Sequence, residues 1–263
     1  MSFSMTSGAT MIDLSSKLAA IGLKIPEEAL RALLQHAAKK KLTHSQLIEQ
    51  LIAVETRERD ARNLQRRSRT ATLGPFKTLE QFDWNHPRSI ERDLYESLHQ
   101  SLDFISRGEN ILLRGQAGVG KTTLAQNLGI RALNHGHTVR FSSLSAALAD
   151  LLRQESIPAT ERRLKRYTQP DLLILDELGY VPCDARAADL FFRIISRRHE
   201  SRSVVITTNL GFKHWGSMFH DAQCLSALVD RFAQHCHVID IDADSWRDKQ
   251  RQARKSTTSN KKR

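Results

Sequence analysis

Between Leu14 and Leu64 the apolar side chains recur every three or four residues, with no strand-like alternation, which predicts an all-helical opening. Leu14, Leu18 and Ile21 make a short first face that Gly22 ends. Pro26 suits the first turn of a second helix, whose stripe is Leu30, Leu33, Leu34 and Ala37. Thr43 with Gln46 three residues later forms a capping box, opening a third helix with apolar positions Leu47, Ile48, Leu51, Ile52 and Val54. Beyond Glu55 this helix turns almost wholly charged, and it is expected to leave the small bundle as a basic rod ending near Gly74-Pro75.

After residue 75 the pattern changes to short, β-branched apolar runs separated by helical stretches, the pattern of a parallel sheet with crossover helices. The runs are Ile111–Leu113, Thr138–Phe141, Leu172–Leu175, Val204–Thr208 and Val238–Ile241. They predict an α/β domain with a five-stranded parallel sheet, spanning residues 75–245 and preceded by a helical domain over residues 1–74. Residues 246–263 hold almost nothing apolar and are expected to form a disordered basic tail.

Composition narrows the class. At 263 residues, 40% hydrophobic and 26% charged, the chain has the makeup of a globular protein with a sizeable core. No run approaches the roughly eighteen apolar residues of a membrane span, and the start lacks a signal-peptide pattern, so no membrane association and a cytoplasmic location are expected. Cys183, Cys224 and Cys236 are scattered and odd in number, as for reduced thiols. The formal charge of +11 is confined to two segments, residues 57–69 at +4 and residues 247–263 at +7. Two basic segments flanking a neutral body favour a polyanionic partner, nucleic acid first, over solvated linkers. On the charged helix, Arg62, Arg66, Arg67 and Arg69 are the candidates.

Gly115-Gln116-Ala117-Gly118-Val119-Gly120-Lys121-Thr122 fits the phosphate-binding loop pattern GxxxxGK[ST], between an expected strand and an apolar helix that continues with Thr123. Glycines let the backbone curl so that successive N–H groups face phosphate oxygens at a helix N-terminus. Lys121 supplies a charge for the β and γ phosphates and Thr122 a hydroxyl for Mg²⁺, so ATP with Mg²⁺ is the expected ligand. Leu172-Leu173-Ile174-Leu175-Asp176-Glu177 predicts a buried strand delivering two carboxylates at its C-terminal edge, where open α/β sheets bind ligands. Asp176 would hold the Mg²⁺ shell and Glu177 would polarise an attacking water, which points to hydrolysis. The run ending at Thr208 brings Asn209 to the same edge, either to hold the water or as an ordinary strand-ending turn residue.

The phosphate loop, KTLEQFDW (77–84), LLILDELGYVP (172–182), VVITTNLGFKHWGSMFHDA (204–222) and LVDRFAQHCHVIDI (228–241) together resemble the IstB-like transposition helper ATPases of bacterial insertion sequences. These are relatives of DnaC helicase loaders and DnaA initiators in the AAA+ class, and the resemblance extends from about Leu14 to Ser245. It implies that Asn209 stands at the sensor-1 position and that Arg231 is an arginine finger reaching a neighbouring subunit's γ phosphate. It also implies a homo-oligomer that assembles with ATP along double-stranded DNA and recruits or stimulates the transposase of the same element. The α/β domain is expected to close near residue 245 without the helical lid that normally supplies a second sensor arginine, so none is assigned.

A helicase-loading adaptor of the DnaC kind is the alternative function, and a small-molecule P-loop kinase is disfavoured because it has no use for the basic segments. Arg162, Arg163, Lys165 and Arg166 form a further candidate for DNA contact, weighed against a solvated helix face partly countered by Glu161. His235, Cys236 and His237 alternate across a strand and so cannot share one tetrahedral ion without distortion. Trp84, Trp215 and Trp246 are too dispersed for a single-strand stacking platform, and Trp84 is expected in core packing or against adenine.

Overall fold

The computed structural model describes residues 8–179, 184–219 and 223–246, with side chains from residue 14 onward. The expected tail beyond Trp246 therefore lies outside the described residues. The chain divides into two compact units, Met1–Arg66 and Arg67–Arg263. Among the described residues no helix is long and apolar enough to cross a membrane.

The first unit is built on α1 (Gly8–Ala20), α2 (Glu27–Lys40) and most of α3 (His44–Ala71). The capping box forms as expected: the Thr43 N–H donates to Gln46 Oε1 (2.9 Å) and the Gln46 N–H to Thr43 Oγ1 (3.3 Å). Ile25, Leu30 and Leu33 are buried. The charged half of α3 is less bare than the pattern suggests. Buried Glu55 accepts from Arg59 (3.2 Å) and Arg62 (2.9 Å), and Arg62 also donates to the Lys24 carbonyl (2.7 Å). Arg62 thus ties α3 to the approach to α2 within its own unit, from a position two turns along the same helix face as Glu55.

The second unit is a six-stranded sheet in the order β1-β6-β2-β5-β4-β3. Its elements are β1 (Ser89–Ile90), α4 (Arg92–Ser101), α5 (Asp103–Ser106), β2 (Asn110–Gly115), α6 (Lys121–Asn134), β3 (Val139–Ser143), α7 (Leu144–Leu152), α8 (Ile157–Thr168), β4 (Leu172–Leu178), α9 (Ala185–Arg198), β5 (Ser203–Thr208), α10 (Leu225–Ala233) and β6 (Cys236–Asp242). The five expected strands are present and parallel. The sixth, β1, pairs antiparallel with β6, Ser89 opposite Asp242 and Ile90 opposite Ile241. Two residues carry no readable alternation, and only the long-range pairing makes them a strand. β2, β4 and β5 are apolar on both faces, with Ile111–Leu113, Leu172–Leu175 and Val204–Ile206 essentially inaccessible, as helices on both sides require.

One buried cation organises the N-terminal ends of these strands. Arg198, 1% exposed at the end of α9, donates to the carbonyls of Tyr167 (3.0 Å), Pro170 (2.8 Å), Asp171 (3.1 Å) and Ser203 (2.7 Å). Burial draws its pKa down to about 9, still charged at neutral pH. The planar fork ties the end of α8 and the starts of β4 and β5 to α9. Arg198→Ala should cost about 3–5 kcal/mol, because four carbonyls lose their donor in a dry site, and Arg198→Lys should recover only part of it. The check is a lowered urea midpoint at unchanged slope.

Candidate nucleotide site

The phosphate loop leaves β2 at Gly115 and enters α6 at Lys121, as the motif requires. Gly118 (φ +81°) and Gly120 (φ +97°) take left-handed backbone that other residues reach only with strain. Each is also closely covered: a Cβ on Gly120 would stand 2.6 Å from the Phe82 ring, and one on Gly118 2.6 Å from Ser245 Oγ. Lys121 Nζ donates to the Gly115 (2.8 Å) and Gln116 (2.7 Å) carbonyls, which holds the ammonium over the loop.

The acidic half comes from β4. Leu175 pairs with Ile206 and Leu178 with Thr208, so Asp176 and Glu177 together oppose the single residue Thr207. This is a β-bulge, and Glu177 occupies it at φ +63°. Asp176 is 6% exposed, Glu177 is exposed, and Leu178 returns to the core. Thr122 Oγ1 lies 3.0 Å from both carboxylate oxygens of Asp176. Thr207 serves both carboxylate residues: its hydroxyl donates to Asp176 and accepts the Glu177 N–H (2.9 Å).

These groups line one end of a cavity of about 420 Å³ that runs from Lys121, Thr122, Glu177 and Thr207 to Phe82, His86 and Trp246. Among the candidate nucleotide-site residues, Ala117 to Thr123 and Glu177 line it. Asn209 does not; it is exposed past the end of β5, its Oδ1 beside Gly179. Arg231 lies on α10, donating to Ser196 Oγ (2.5 Å) with its guanidinium 4.9 Å from the centre of the Phe192 ring, and does not line its own chain's cavity. Trp84 is in packing rather than in the cavity, edge-on to Phe82 at 4.8 Å and 5.7 Å from Tyr95, with Arg92 over its face.

Thr207, Phe82, His86 and Trp246 were given no place in the site by the sequence, although Phe82 and Thr207 lie in segments that carry the family resemblance. The signals were faint: two threonines closing an otherwise apolar run, and aromatic residues flanking a turn. A hydroxyl beside a single buried carboxylate is the oxygen set that suits Mg²⁺, which keeps most of its shell as water and substrate oxygen. His237 instead pairs with Glu109 (2.9 Å), and burial pushes the Cys236 thiol up to about 12. Among the described residues no group of three or more His, Cys, Asp or Glu is arranged to hold a metal.

The basic candidates are distributed unequally. Arg66 and Arg69 are exposed, with Arg66 donating to Asn63 Oδ1 (3.3 Å), while half-buried Arg67 donates to the Leu133 carbonyl (3.3 Å). On α8, Arg162, Lys165 and Arg166 are exposed, but Arg163 forms a two-pronged ion pair with Asp150 (2.8 and 2.5 Å). Glu161 does not counter its own helix: it accepts from Arg193 and Arg197 of α9, whose approach no local pattern could reveal.

A family model for the IstB-like ATP binding proteins matches residues 16–254. The chain is 38% identical to an ATP-binding protein of insertion sequence IS21 from Pseudomonas aeruginosa over 84% of this chain and 83% of the relative. It is 31% identical to that of insertion sequence IS5376 from Geobacillus stearothermophilus over 86% and 89%. AMPPCP-bound DnaA from Aquifex aeolicus superposes with a TM-score of 0.55 at 24% identity, covering 66% of this chain and 52% of that one. DnaI gives a TM-score of 0.52 at 17% identity, covering 64% and 92%. The two structures share the AAA+ fold with this chain, and the profile and the insertion-sequence relatives go further: the chain belongs to the IstB-like ATP-binding protein family.

Proposed function

We propose that this chain is an ATP hydrolase of the cytoplasm that assists DNA transposition: it assembles as a homo-oligomer with ATP on duplex DNA and recruits or stimulates the transposase of its own element. The observation that carries the reading is the convergence of Thr122 Oγ1 on both Asp176 oxygens (3.0 Å each), with Glu177 set beside them by the bulge. The insertion-sequence relatives support the biological setting.

In this reading the backbone N–H groups of residues 116 to 122 cradle the phosphates, and Lys121 neutralises the terminal ones. Thr122 and Asp176 would hold Mg²⁺, which when bound neutralises charge developing between the β and γ phosphates. Glu177 accepts a proton from the attacking water, its main chain fixed by Thr207 so that the carboxylate stays at the cavity edge. Asn209, past the end of β5 on the same sheet edge, would hold the water or contact the γ phosphate. Arg231, outside its own cavity, would complete the site of the adjacent subunit. Duplex DNA would be met by the exposed arginines of α3 and by Arg162, Lys165 and Arg166 of α8, with Arg62, Arg67 and Arg163 holding those surfaces in place.

Lys121→Ala should weaken binding of a fluorescent ATP analogue more than about tenfold, since a charged hydrogen-bond donor leaves the cradle. Glu177→Gln should bind it nearly as wild type yet lose at least about 100-fold in phosphate release, because the amide keeps the shape and cannot take a proton. Normal turnover by Glu177→Gln would move the catalytic role to another residue.

Mixing inactive Arg231→Ala with inactive Lys121→Ala should restore part of the ATPase activity, as the first keeps a working cradle and the second keeps its finger. A mixture that stays inactive while both variants co-assemble on DNA would make Arg231 a purely structural partner of Ser196 and Phe192.

DNA binding should be largely sequence-independent and fall steeply with salt, each phosphate contact adding about −0.9 to the log–log slope. Arg66→Glu with Arg69→Glu should flatten that slope by about one per lost contact. An identical slope would remove the charged end of α3 from the interface.

A further inference from the structure

The segment that follows β6 crosses the phosphate loop, and it is fastened there from both sides. The Trp246 N–H donates to the Gly118 carbonyl (3.1 Å), and Ser245 lies where a side chain on Gly118 would have to go. From the other side, His86 Nε2 meets the Asp244 carbonyl (2.8 Å) and Arg88 pairs with the Asp244 carboxylate (2.6 Å). The short antiparallel pairing of β1 with β6 is what brings residues 86–88 and 244–246 to the same place.

This fastening gives the cavity an aromatic end opposite its phosphate end. The Trp246 and His86 rings stand edge to face, 4.7 Å between centroids at 77°, and both line the cavity. Phe82 also lines it, but its ring is committed to the open face of Gly120 and so shapes the loop. Trp246 is half-buried with its ring against His86, whereas Trp215 is fully buried and Trp84 packs on Tyr95. A cavity of about 420 Å³ with the phosphate loop and the Lys121 ammonium at one end and aromatic rings at the other matches a nucleotide in outline.

We propose that Trp246, positioned by His86, is a nucleotide-binding residue on which the purine base stacks, so that the segment after β6 forms the base-facing wall of the site. The proposal rests on the nucleotide reading of the cavity and adds the part of the ligand that the loop motif does not address. Stacking is indifferent to the phosphates, and the loop is indifferent to the base, so the two contributions separate experimentally.

The test titrates the full chain with ATP and with inorganic tripolyphosphate, each by competition against a fluorescent ATP analogue. Trp246→Ala should weaken ATP about tenfold, as expected for losing one aromatic–base contact, and leave tripolyphosphate unchanged. Trp246→Phe should recover most of the loss. In the wild-type chain, ATP but not tripolyphosphate should change tryptophan emission, and the change should vanish in Trp246→Phe. Equal weakening of both ligands by Trp246→Ala would overturn the proposal and leave Trp246 as a support of the Gly118 turn. Unchanged ATP affinity would overturn it as well, with the nucleotide reading intact. A wild-type chain that binds neither ligand would overturn both.

Discussion

Two residues of β4 stand against one residue of β5, and the chemistry of the site depends on that mismatch. With regular pairing, Asp176 and Glu177 would each face a partner in turn and point to opposite sides of the sheet. Instead both are gathered around Thr207, one carboxylate drawn inward onto Thr122 and the other released to the cavity edge. The arrangement requires β5 to lie between β2 and β4, because only then does one hydroxyl reach the acidic strand while the phosphate loop rises from the strand on its other side. Arg198 fixes the opposite ends of β4 and β5, so the register that places Thr207 opposite the bulge is held from both ends.

What could be read from the sequence is what local pattern encodes. The phosphate loop, the apolar strand before Asp176 and the capping box at Thr43 each live within a dozen residues, and each forms as the pattern predicts. The bulge was invisible because LLILDEL reads as one unbroken strand, and the left-handed turn at Glu177 is imposed by its partner. β1 was invisible because two residues have no period. The aromatic end of the cavity was missed for a different reason: Trp246 is far along the chain from Phe82 and His86, and meets them only after β1 has paired with β6.

Counting charges also overstated how much of the basicity faces outward. Arg62 is turned to Glu55 and to a carbonyl before α2, Arg163 is held by Asp150, and Arg67 by a carbonyl of α6. A guanidinium has five donors in a fixed fork and fastens readily to any carbonyl edge within reach. The arginines of α3 and α8 therefore divide into those that hold helices in place and those, Arg66, Arg69, Arg162 and Arg166 among them, whose side chains remain exposed.

The φ of +63° at Glu177 has a consequence for which residues this position can accept. Left-handed backbone is easiest for glycine, then for asparagine and aspartate, whose short side chains bond to their own main chain. Glutamate gains nothing of that kind, and the conformation costs on the order of 1 kcal/mol. The shorter residues would sit more comfortably in the bulge but fall one methylene, or the whole arm, short of the cavity edge. Conformational ease and reach are in conflict at this position, and drift towards the easier residues would leave a chain that folds a little better with its carboxylate withdrawn from the rim.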